Sequence, residues 1–293
     1  MRIVFIGAVE FSRHALERLL AMRAEIVGVC TLQESKFNAD HVDLASISEA
    51  HGLAWLYAEN INSTETLNWI RGKAPDVIFC FGWSKLLKQE LLGLAPRGVV
   101  GFHPAALPAN RGRHPLIWAL VLGLEETASI FFLMDSGADS GDILLQREII
   151  IDDEDDARTL YDKVTQTALA QIEELVPMLA AGTCPRHKQD QKLANVWRKR
   201  STADGRIDWR MSARSIHNLV RGLAKPYVGA HFIAAGQEIK VWKTALVSDA
   251  PKNIEPGKVL MQTAGGPVVK CGENALCLLV TEPSFEPIVG SYL

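Results

Sequence analysis

The chain has 293 residues, of which 48% are hydrophobic and 22% are charged. This composition suits one large or two modest globular domains and excludes a disordered or collagen-like chain. The formal net charge of −3 excludes a protein that coats nucleic acid, so any contact with RNA must be local. We see no secretory leader, and no apolar run reaches the roughly 18 residues that a membrane span needs. We therefore expect a cytoplasmic protein with no membrane partner.

The five cysteines are scattered along the chain. None forms a Cys-x-x-Cys pair, and Cys184 with His187 has no second pair to complete a zinc site. We therefore expect free thiols in a reducing compartment and no bound metal.

Short apolar runs alternate with helical patterns through the first half of the chain. Ser12 is the predicted N-cap of the first helix. The turn after the first strand contains Gly7 but no Gly-x-Gly-x-x-Gly, so a dinucleotide such as NAD is not expected. The alternation predicts an α/β fold with a doubly wound parallel sheet. Strands are predicted at residues 2–6, 25–31, 76–81, 98–102 and 130–134, and helices at 12–20, 44–51, 84–92 and 156–179.

The pattern changes after residue 185. Residues 188–200 are polar and basic, as is typical of a linker, and a helical pattern at 212–223 precedes short strand-like runs. Several short strands after an α/β half predict a small C-terminal β-barrel of the OB type. We divide the chain into an α/β domain at residues 1–185, a linker at 186–203 and the C-terminal domain at 204–293.

One histidine stands where open α/β sheets place their ligands. His103 follows the predicted strand at 98–102 and begins a loop with three prolines, a glycine and two arginines, Arg111 and Arg113. Such a loop can hold a rigid cationic rim. On its own the histidine is as consistent with a structural role as with a functional one.

A second loop, at residues 134–142, follows the apolar run at 130–134. Its three aspartates and two glycines suit either an ordinary turn or a carboxylate aimed at a ligand. A carboxylate beside a histidine fixes the ring tautomer, so His103 and Asp139 form a candidate base and its orienting partner. No Gly-x-Ser-x-Gly elbow or Cys–His nucleophile motif supports covalent catalysis.

These segments resemble the N10-formyltetrahydrofolate-dependent formyltransferases. The resemblance rests on His-Pro-Ala-Ala-Leu-Pro at 103–108, on Arg111-Gly112, and on Met-Asp-x-Gly-x-Asp-x-Gly-Asp-Ile-Leu at 134–144. It continues through 204–209, 226–230 and 236–242, and so covers nearly the whole chain. Methionyl-tRNA formyltransferase and the nucleotide-sugar N-formyltransferases carry the pattern most fully.

The resemblance implies transfer of a formyl group from N10-formyltetrahydrofolate to a substrate amine. His103 and Asp139 match the catalytic His and Asp of the family, whereas Gly101 stands at the position of the family's Asn. That amide would bond the formyl oxygen as negative charge develops, and losing one such donor costs roughly 10²–10³ in rate. Three interpretations stay open: another donor replaces it, a reactive substrate does without it, or the protein is a slow or inactive relative. We expect Gly101 to leave room for a water.

The resemblance also implies where the folate binds. The pterin ring is expected to bond main-chain groups in two segments and to lie against their apolar side chains. These residues are Lys85, Leu86 and Leu87 in the first segment, and Met134, Asp135 and Ala138 in the second.

The acceptor amine is the least determined part of the resemblance. The tRNA-directed enzymes use a basic, glycine-containing loop, whereas residues 31–43 here contain one lysine, three acidic residues and neither arginine nor glycine. Because phosphate contacts dominate nucleic-acid affinity, we favour a nucleotide-linked amino sugar over tRNA. Pro226-Tyr227 and Arg198-Lys199-Arg200 also resemble the sugar enzymes. Arg111 and Arg113 are candidates to bind the diphosphate, although Arg113 suits a structural rim nearly as well.

Two alternatives to a formyltransferase belong to other functional classes. One is a non-catalytic folate- or nucleotide-binding relative, with Gly101 as its mark, and the other is a hydrolase that releases formate from formyl-folate. A homodimer is expected only because two-fold pairs are the commonest assembly.

Overall fold

A computed structural model describes residues 1–35 and 38–293 of the chain. Lys36 and Phe37, within the acidic stretch at 31–43, lie outside the described residues. The rest divides into two compact units. Residues 1–112, 127–149 and 162–197 form the first, and residues 113–126, 150–161 and 198–293 form the second.

Seven strands form one sheet in the order β3-β2-β1-β4-β5-β7-β8. The elements up to residue 197 are β1 (Arg2–Ile6), α1 (Glu10–Ala21), β2 (Glu25–Thr31), α2 (Ala45–Ala50), β3 (Trp55–Tyr57), α3 (Thr64–Gly72), β4 (Val77–Cys80), α4 (Gln89–Leu92), β5 (Val99–His103), β6 (Arg111–Gly112), α5 (Pro115–Val121), β7 (Glu126–Leu133), β8 (Ile143–Ile150), α6 (Ala157–Ala181) and β9 (Val196–Trp197).

β1, β2, β4 and β5 pair in parallel as predicted, and β3, which was not predicted from the sequence, pairs in parallel with β2. Every residue of β4 is buried, as expected for a central parallel strand covered on both faces. β7 joins β5 in the antiparallel direction. Thr127, near the start of β7, lies beside the end of β5, where its Oγ1 donates to the Pro104 carbonyl (3.3 Å), as the antiparallel direction requires.

The first helix begins earlier than predicted. α1 starts at Glu10 with Val9 as its N-cap. The Ser12 hydroxyl lies inside the helix, accepts from the Val9 N–H (3.1 Å) and donates to the Phe81 carbonyl (2.6 Å). A Cβ on Gly7 would lie 2.5 Å from the Ser12 Cβ, so this turn needs a residue without a side chain. The prediction that Ser12 is the N-cap is therefore wrong, because its hydroxyl joins α1 to the chain after β4.

A five-stranded antiparallel sheet follows in the second unit, where short strands were predicted. Its order is β10-β11-β14-β13-β12. Ile216 and Leu219 of the helix before it pack in one buried cluster with Ile239 and Val241 of the second strand. The elements are α7 (Ala213–Gly222), β10 (Ala230–Ala234), β11 (Gln237–Val247), β12 (Val259–Thr263), β13 (Gly266–Lys270) and β14 (Ala275–Glu282).

All five cysteines are free thiols, as predicted, and only Cys184 among them is not buried. Burial raises the pKa of the Cys30 thiol to about 12, so this thiol stays protonated and unreactive at neutral pH. Within residues 1–35 and 38–293, no helix has the length and apolar character to cross a membrane. In the same residues, no group of three or more His, Cys, Asp or Glu side chains is arranged to hold a metal ion.

Candidate active site

His103 is the last residue of β5, which lies between β4 and β7 in the sheet. The residue is only 4% exposed. Its Nε2 lies 2.8 Å from the Asn110 carbonyl oxygen. Because a carbonyl only accepts hydrogen bonds, this contact assigns the proton to Nε2. The ring is thereby fixed with Nδ1 directed towards Asp139.

Asp139 faces His103 from the loop after β7. Its Oδ2 lies 3.7 Å from His103 Nδ1 and accepts a hydrogen bond from the Gly112 N–H (2.9 Å). The structure therefore brings the predicted pair within ion-pair distance. Catalytic hydrogen bonds are often long in ligand-free enzymes and shorten when substrate binds, so 3.7 Å is compatible with a working pair.

Gly112 can pair with β9 only because it has no side chain. Its φ is +102°, and a Cβ there would lie 2.3 Å from the Trp197 carbonyl oxygen. β6 pairs with β9 through Arg111–Val196 and Gly112–Trp197. The Gly112 N–H, which donates to the Asp139 carboxylate, is therefore held in place by β9.

Gly101 lies on β5 between Cys80 of β4 and Phe132 of β7. A Cβ on Gly101 would lie 2.8 Å from Met134 Cγ and 2.9 Å from two carbons of the Phe132 ring. The expectation that Gly101 leaves room for a water is therefore wrong on the side where a Cβ would project, because the side chains of Met134 and Phe132 occupy that space.

The two predicted folate segments share one apolar cluster. Leu87 is 2% exposed, and Met134 packs against the same cluster, which also contains Cys80 and Val99. The side chains of Lys85 and Leu86, and those of Asp135 and Ala138, are exposed. The structure thus brings the two segments together through Leu87 and Met134 and leaves the other four side chains at the surface.

Two residues beside these segments were not found from the sequence. The Asn62 amide donates to the Leu86 carbonyl and accepts from the Lys88 N–H, both at 2.8 Å, so it holds this stretch of main chain from both sides. Trp83 packs against the cluster of Leu87 and Met134, and its buried Nε1–H has no hydrogen-bond partner among the described residues. A buried donor without a partner is unusual and suits a polar ligand atom.

The two predicted arginines differ in their surroundings. Arg111 is 6% exposed, and its guanidinium donates to Gln189 and Gln191 (2.6–3.1 Å), so it is directed into the first unit. Arg113 is exposed and belongs to the second unit. Burial lowers the pKa of the neighbouring His114, and the charges of Arg113, Arg200 and Lys199 lower it further. The Asp204 carboxylate acts in the opposite direction, so the charges that act on His114 are those of three cations and one anion.

The fold is that expected of a formyltransferase, and comparison with known proteins agrees on the family. The family model for "Formyl transferase" matches residues 1–175, and that for "Formyl transferase, C-terminal domain" matches residues 199–287. The chain belongs to the formyltransferase family and is a formyl-transferring enzyme.

Curated relatives of similar length are methionyl-tRNA formyltransferases. The chain is 34% identical over 284 residues to the one from Caldanaerobacter subterraneus subsp. tengcongensis, which covers 95% of this chain and 91% of the relative. It is 30% identical over 282 residues to the one from Geobacter sulfurreducens, which covers 95% and 88%.

Solved structures with the same fold include sugar enzymes and folate complexes. WlaRD, a sugar 3N-formyl transferase in the presence of dTDP and 5-N-formyl-THF, gives a TM-score of 0.74 at 16% identity over 97% of this chain and 99% of that one. The Helicobacter canadensis N-formyltransferase with folinic acid and dTDP-3-aminofucose gives 0.70 at 15% identity, covering 94% and 98%. HypX from Aquifex aeolicus with tetrahydrofolic acid gives 0.68 at 17% identity, covering 94% of this chain and 43% of that one. At these identities the likeness shows the shared fold.

Proposed function

We propose that this enzyme transfers a formyl group from N10-formyltetrahydrofolate to the amine of a nucleotide-linked amino sugar. The observation that carries the choice of acceptor is the acidic loop between β2 and α2. Its described acids are Glu34, Asp40 and Asp43. The loop is held against the start of α1, because the Asp40 carbonyl accepts from the Glu10 N–H (2.9 Å) and His41 Nδ1 lies 2.9 Å from the Ala8 carbonyl oxygen.

An acidic loop in this place is unsuited to tRNA. The Asp43 carboxylate accepts from the Tyr57 hydroxyl and from the Ala45 N–H, both at 2.8 Å. Neither donor is a cation, so neither contact neutralises the negative charge of Asp43. Nucleic-acid affinity depends on cations that neutralise phosphates, and a small substrate makes fewer such demands.

The residues present fit a folate donor. Leu87 and Met134 supply an apolar wall, the main chain at residues 85–88 is held in place by Asn62, and Trp83 offers a buried N–H. Pterin binding through main-chain groups of Lys85 to Leu87 and of Met134, Asp135 and Ala138 belongs to this proposal. N10-formyltetrahydrofolate supplies the formyl group on a nitrogen that leaves carrying a proton.

His103 and Asp139 supply the proton chemistry in this proposal. The neutral acceptor amine forms the new C–N bond and must then lose a proton. In the reaction the Nε2–H of His103 exchanges the Asn110 carbonyl for the formyl oxygen, stabilises the negative charge that develops there, and takes part in passing the amine proton to the leaving N10. Asp139 keeps the ring oriented and stabilises its charged form through Nδ1.

Cations of the second unit suit a diphosphate. Arg113 and Lys199 are exposed, and both contribute to the positive surroundings that lower the pKa of His114. A diphosphate beside these two side chains would gain charge-assisted hydrogen bonds. Arg113 therefore stays a candidate diphosphate ligand in this proposal, whereas the Arg111 guanidinium is occupied by Gln189 and Gln191.

Charged initiator tRNA is the second candidate acceptor. It is favoured by the 34% identity to a methionyl-tRNA formyltransferase over 95% of this chain. The relatives' activity and the acidic loop therefore predict different acceptors for the same chemistry.

A turnover assay with three acceptors separates these functions. N10-formyltetrahydrofolate is supplied with a panel of nucleotide-linked 3- and 4-amino sugars, with charged initiator tRNA, or with water alone, and His103→Ala is run alongside. We expect a formyl mass gain on a sugar that the His103→Ala variant does not produce. If only the tRNA is formylated, the proposed amino-sugar acceptor is wrong. Formate in the water tube identifies a hydrolase, and no product with intact folate binding identifies an inactive relative.

Asn62 provides a test of the folate site. We expect Asn62→Ala to weaken binding of 5-formyltetrahydrofolate about tenfold, because two hydrogen bonds to the main chain at Leu86 and Lys88 are lost. Asn62→Asp keeps the acceptor for the Lys88 N–H and should have a smaller effect. Calorimetric titration measures both. Asn68→Ala on the exposed side of α3 is the control, and equal affinities for all four proteins would remove Asn62 from the donor site.

A further inference from the structure

Gln189 lies at the centre of a hydrogen-bond network behind Asp139. It belongs to the segment between α6 and β9 and is 8% exposed. Its Oε1 accepts from Arg111 Nη2 (2.6 Å) and Nε (3.1 Å). Its Nε2 donates to the carbonyls of Asp139 (2.9 Å) and Gly141 (2.7 Å). Both acceptor positions and both protons of the amide are therefore used.

The partners of Gln189 determine which way its amide points. A guanidinium has only donors and a carbonyl has only acceptors, so the opposite orientation would oppose like groups on both sides. Arg111 Nη1 donates in addition to Gln191 Oε1 (2.8 Å). The buried cation thus fixes Gln189 with both N–H groups towards the Asp139 loop.

The main chain that Gln189 holds requires such support. Asp139 has a φ of +51°, in the left-handed region that a residue with a side chain adopts at a cost. A Cβ on Gly141 would lie 1.7 Å from the Leu133 carbonyl oxygen, so the loop passes very close to the end of β7. Gln189 binds the carbonyls on either side of Ser140, and this fixes the turn from which the Asp139 carboxylate reaches His103.

We infer that Gln189 is a positioning residue for formyl transfer. It acts through Asp139: the Arg111 cation orients the Gln189 amide, the amide holds the turn at residues 139–141, and the turn places the carboxylate opposite His103 Nδ1. One residue of the segment that resembles a linker in the sequence therefore acts on the Asp139 loop. This inference rests on the proposed roles of His103 and Asp139.

Gln189→Glu tests the inference with little change of volume. The substituted side chain keeps an acceptor for Arg111 and replaces the two donors to Asp139 and Gly141 with an acceptor that those carbonyls repel. Gln191→Glu is the matched control, because it places the same charge beside the same arginine, while Gln191 makes no contact with residues 139–141 in the network described. The same substitution two positions apart therefore isolates the contact with the loop.

Two measurements are made on each variant. The first is kcat for formyl transfer to the sugar acceptor, which we expect to fall about 10²-fold in Gln189→Glu and to stay within about threefold of the parent in Gln191→Glu. The second is the ligand-free NMR signal of His103 Cε1–H, assigned by its loss in His103→Asn. We expect it to shift in Gln189→Glu and to stay in place in Gln191→Glu.

The NMR measurement needs no substrate, so the inference and the proposed function fail separately. If the His103 signal shifts but the enzyme formylates no sugar, the inference that Gln189 positions Asp139 stands and the proposed sugar acceptor is wrong. An unmoved signal overturns the inference, even if kcat falls. If Gln189→Glu does not fold, Gln189→Met removes the same two donors without adding charge and is judged by the same two outcomes.

Discussion

His103→Ala is expected to lower kcat/KM for formyl transfer about 10³-fold, within the range that a positioned acid or base contributes. The imidazole ring is the ionisable group that faces Asp139 at the end of β5, and alanine replaces neither its proton nor its charge. Folate affinity should be unchanged within about twofold, because the predicted folate contacts lie in other segments. Steady-state kinetics and calorimetric titration with 5-formyltetrahydrofolate measure the two quantities.

Asp139→Asn gives the companion result. The side-chain carbonyl can still accept from the Gly112 N–H, so the loop is retained while the charge opposite His103 Nδ1 is lost. We expect a loss of about 10²-fold, smaller than that of His103→Ala. His51→Ala, an exposed histidine on α2's C-terminal side, is the control for general effects of removing an imidazole. Full activity in either active-site variant would assign the proton chemistry to other residues.

The central sheet and the two candidate catalytic side chains could be predicted from the sequence because their signals are local. A continuous apolar run at residues 76–81 and a histidine directly after the next strand require only the alternation rule and the knowledge that ligands bind at strand ends. Asp139 was found in the same way, as an acid in a glycine-containing loop after a strand. The strand order alone does not give the ion-pair distance, because the antiparallel β7 ends beside Val100 and the loop that follows it places Asp139 at His103.

The residues that support the candidate site, Asn62 and Gln189, could not be predicted from the sequence because their contacts are distant along the chain. Asn62 contacts residues 24 and 26 positions later in the chain, and Gln189 contacts residues 48 to 78 positions earlier. A polar side chain that bonds distant main-chain carbonyls leaves no periodicity in the sequence. In the segment at 186–203, polar composition suited a solvated connection, and only the fold shows that Gln189 is buried.

Gly101 shows a third case, in which the sequence locates a residue and misjudges its surroundings. The comparison with the family's Asn suggested a missing donor that water could replace. In the structure Phe132, which is 2% exposed, and Met134 fill the side of β5 on which a side chain would project. A donor for the formyl oxygen on this side therefore has to come from His103 or the main chain.

We expect Gly101→Asn to destabilise the protein without restoring a faster reaction. The first side-chain carbon alone would lie 2.8 Å from Met134 Cγ and 2.9 Å from the Phe132 ring, so both neighbours must move. Overpacking of this kind costs about 1–3 kcal/mol of folding free energy. Thermal unfolding and kcat are measured together, and Gly101→Ala separates the cost of the carbon from any effect of the amide.

Shortening Met134 should relieve the crowding around the side chain introduced at position 101. In Gly101→Asn/Met134→Ala the side chain that blocks one approach is gone, and we expect part of the lost thermal stability to return relative to Gly101→Asn alone. Only in this background does the amide have space from which to reach the formyl oxygen, so a rise in kcat should require both substitutions. If Gly101→Asn alone unfolds at the parent temperature and raises kcat about 10²-fold, the scale of one oxyanion donor, Phe132 and Met134 do not occupy the donor's place. In that case the only effect of Gly101, relative to the family's Asn, is the loss of one hydrogen-bond donor.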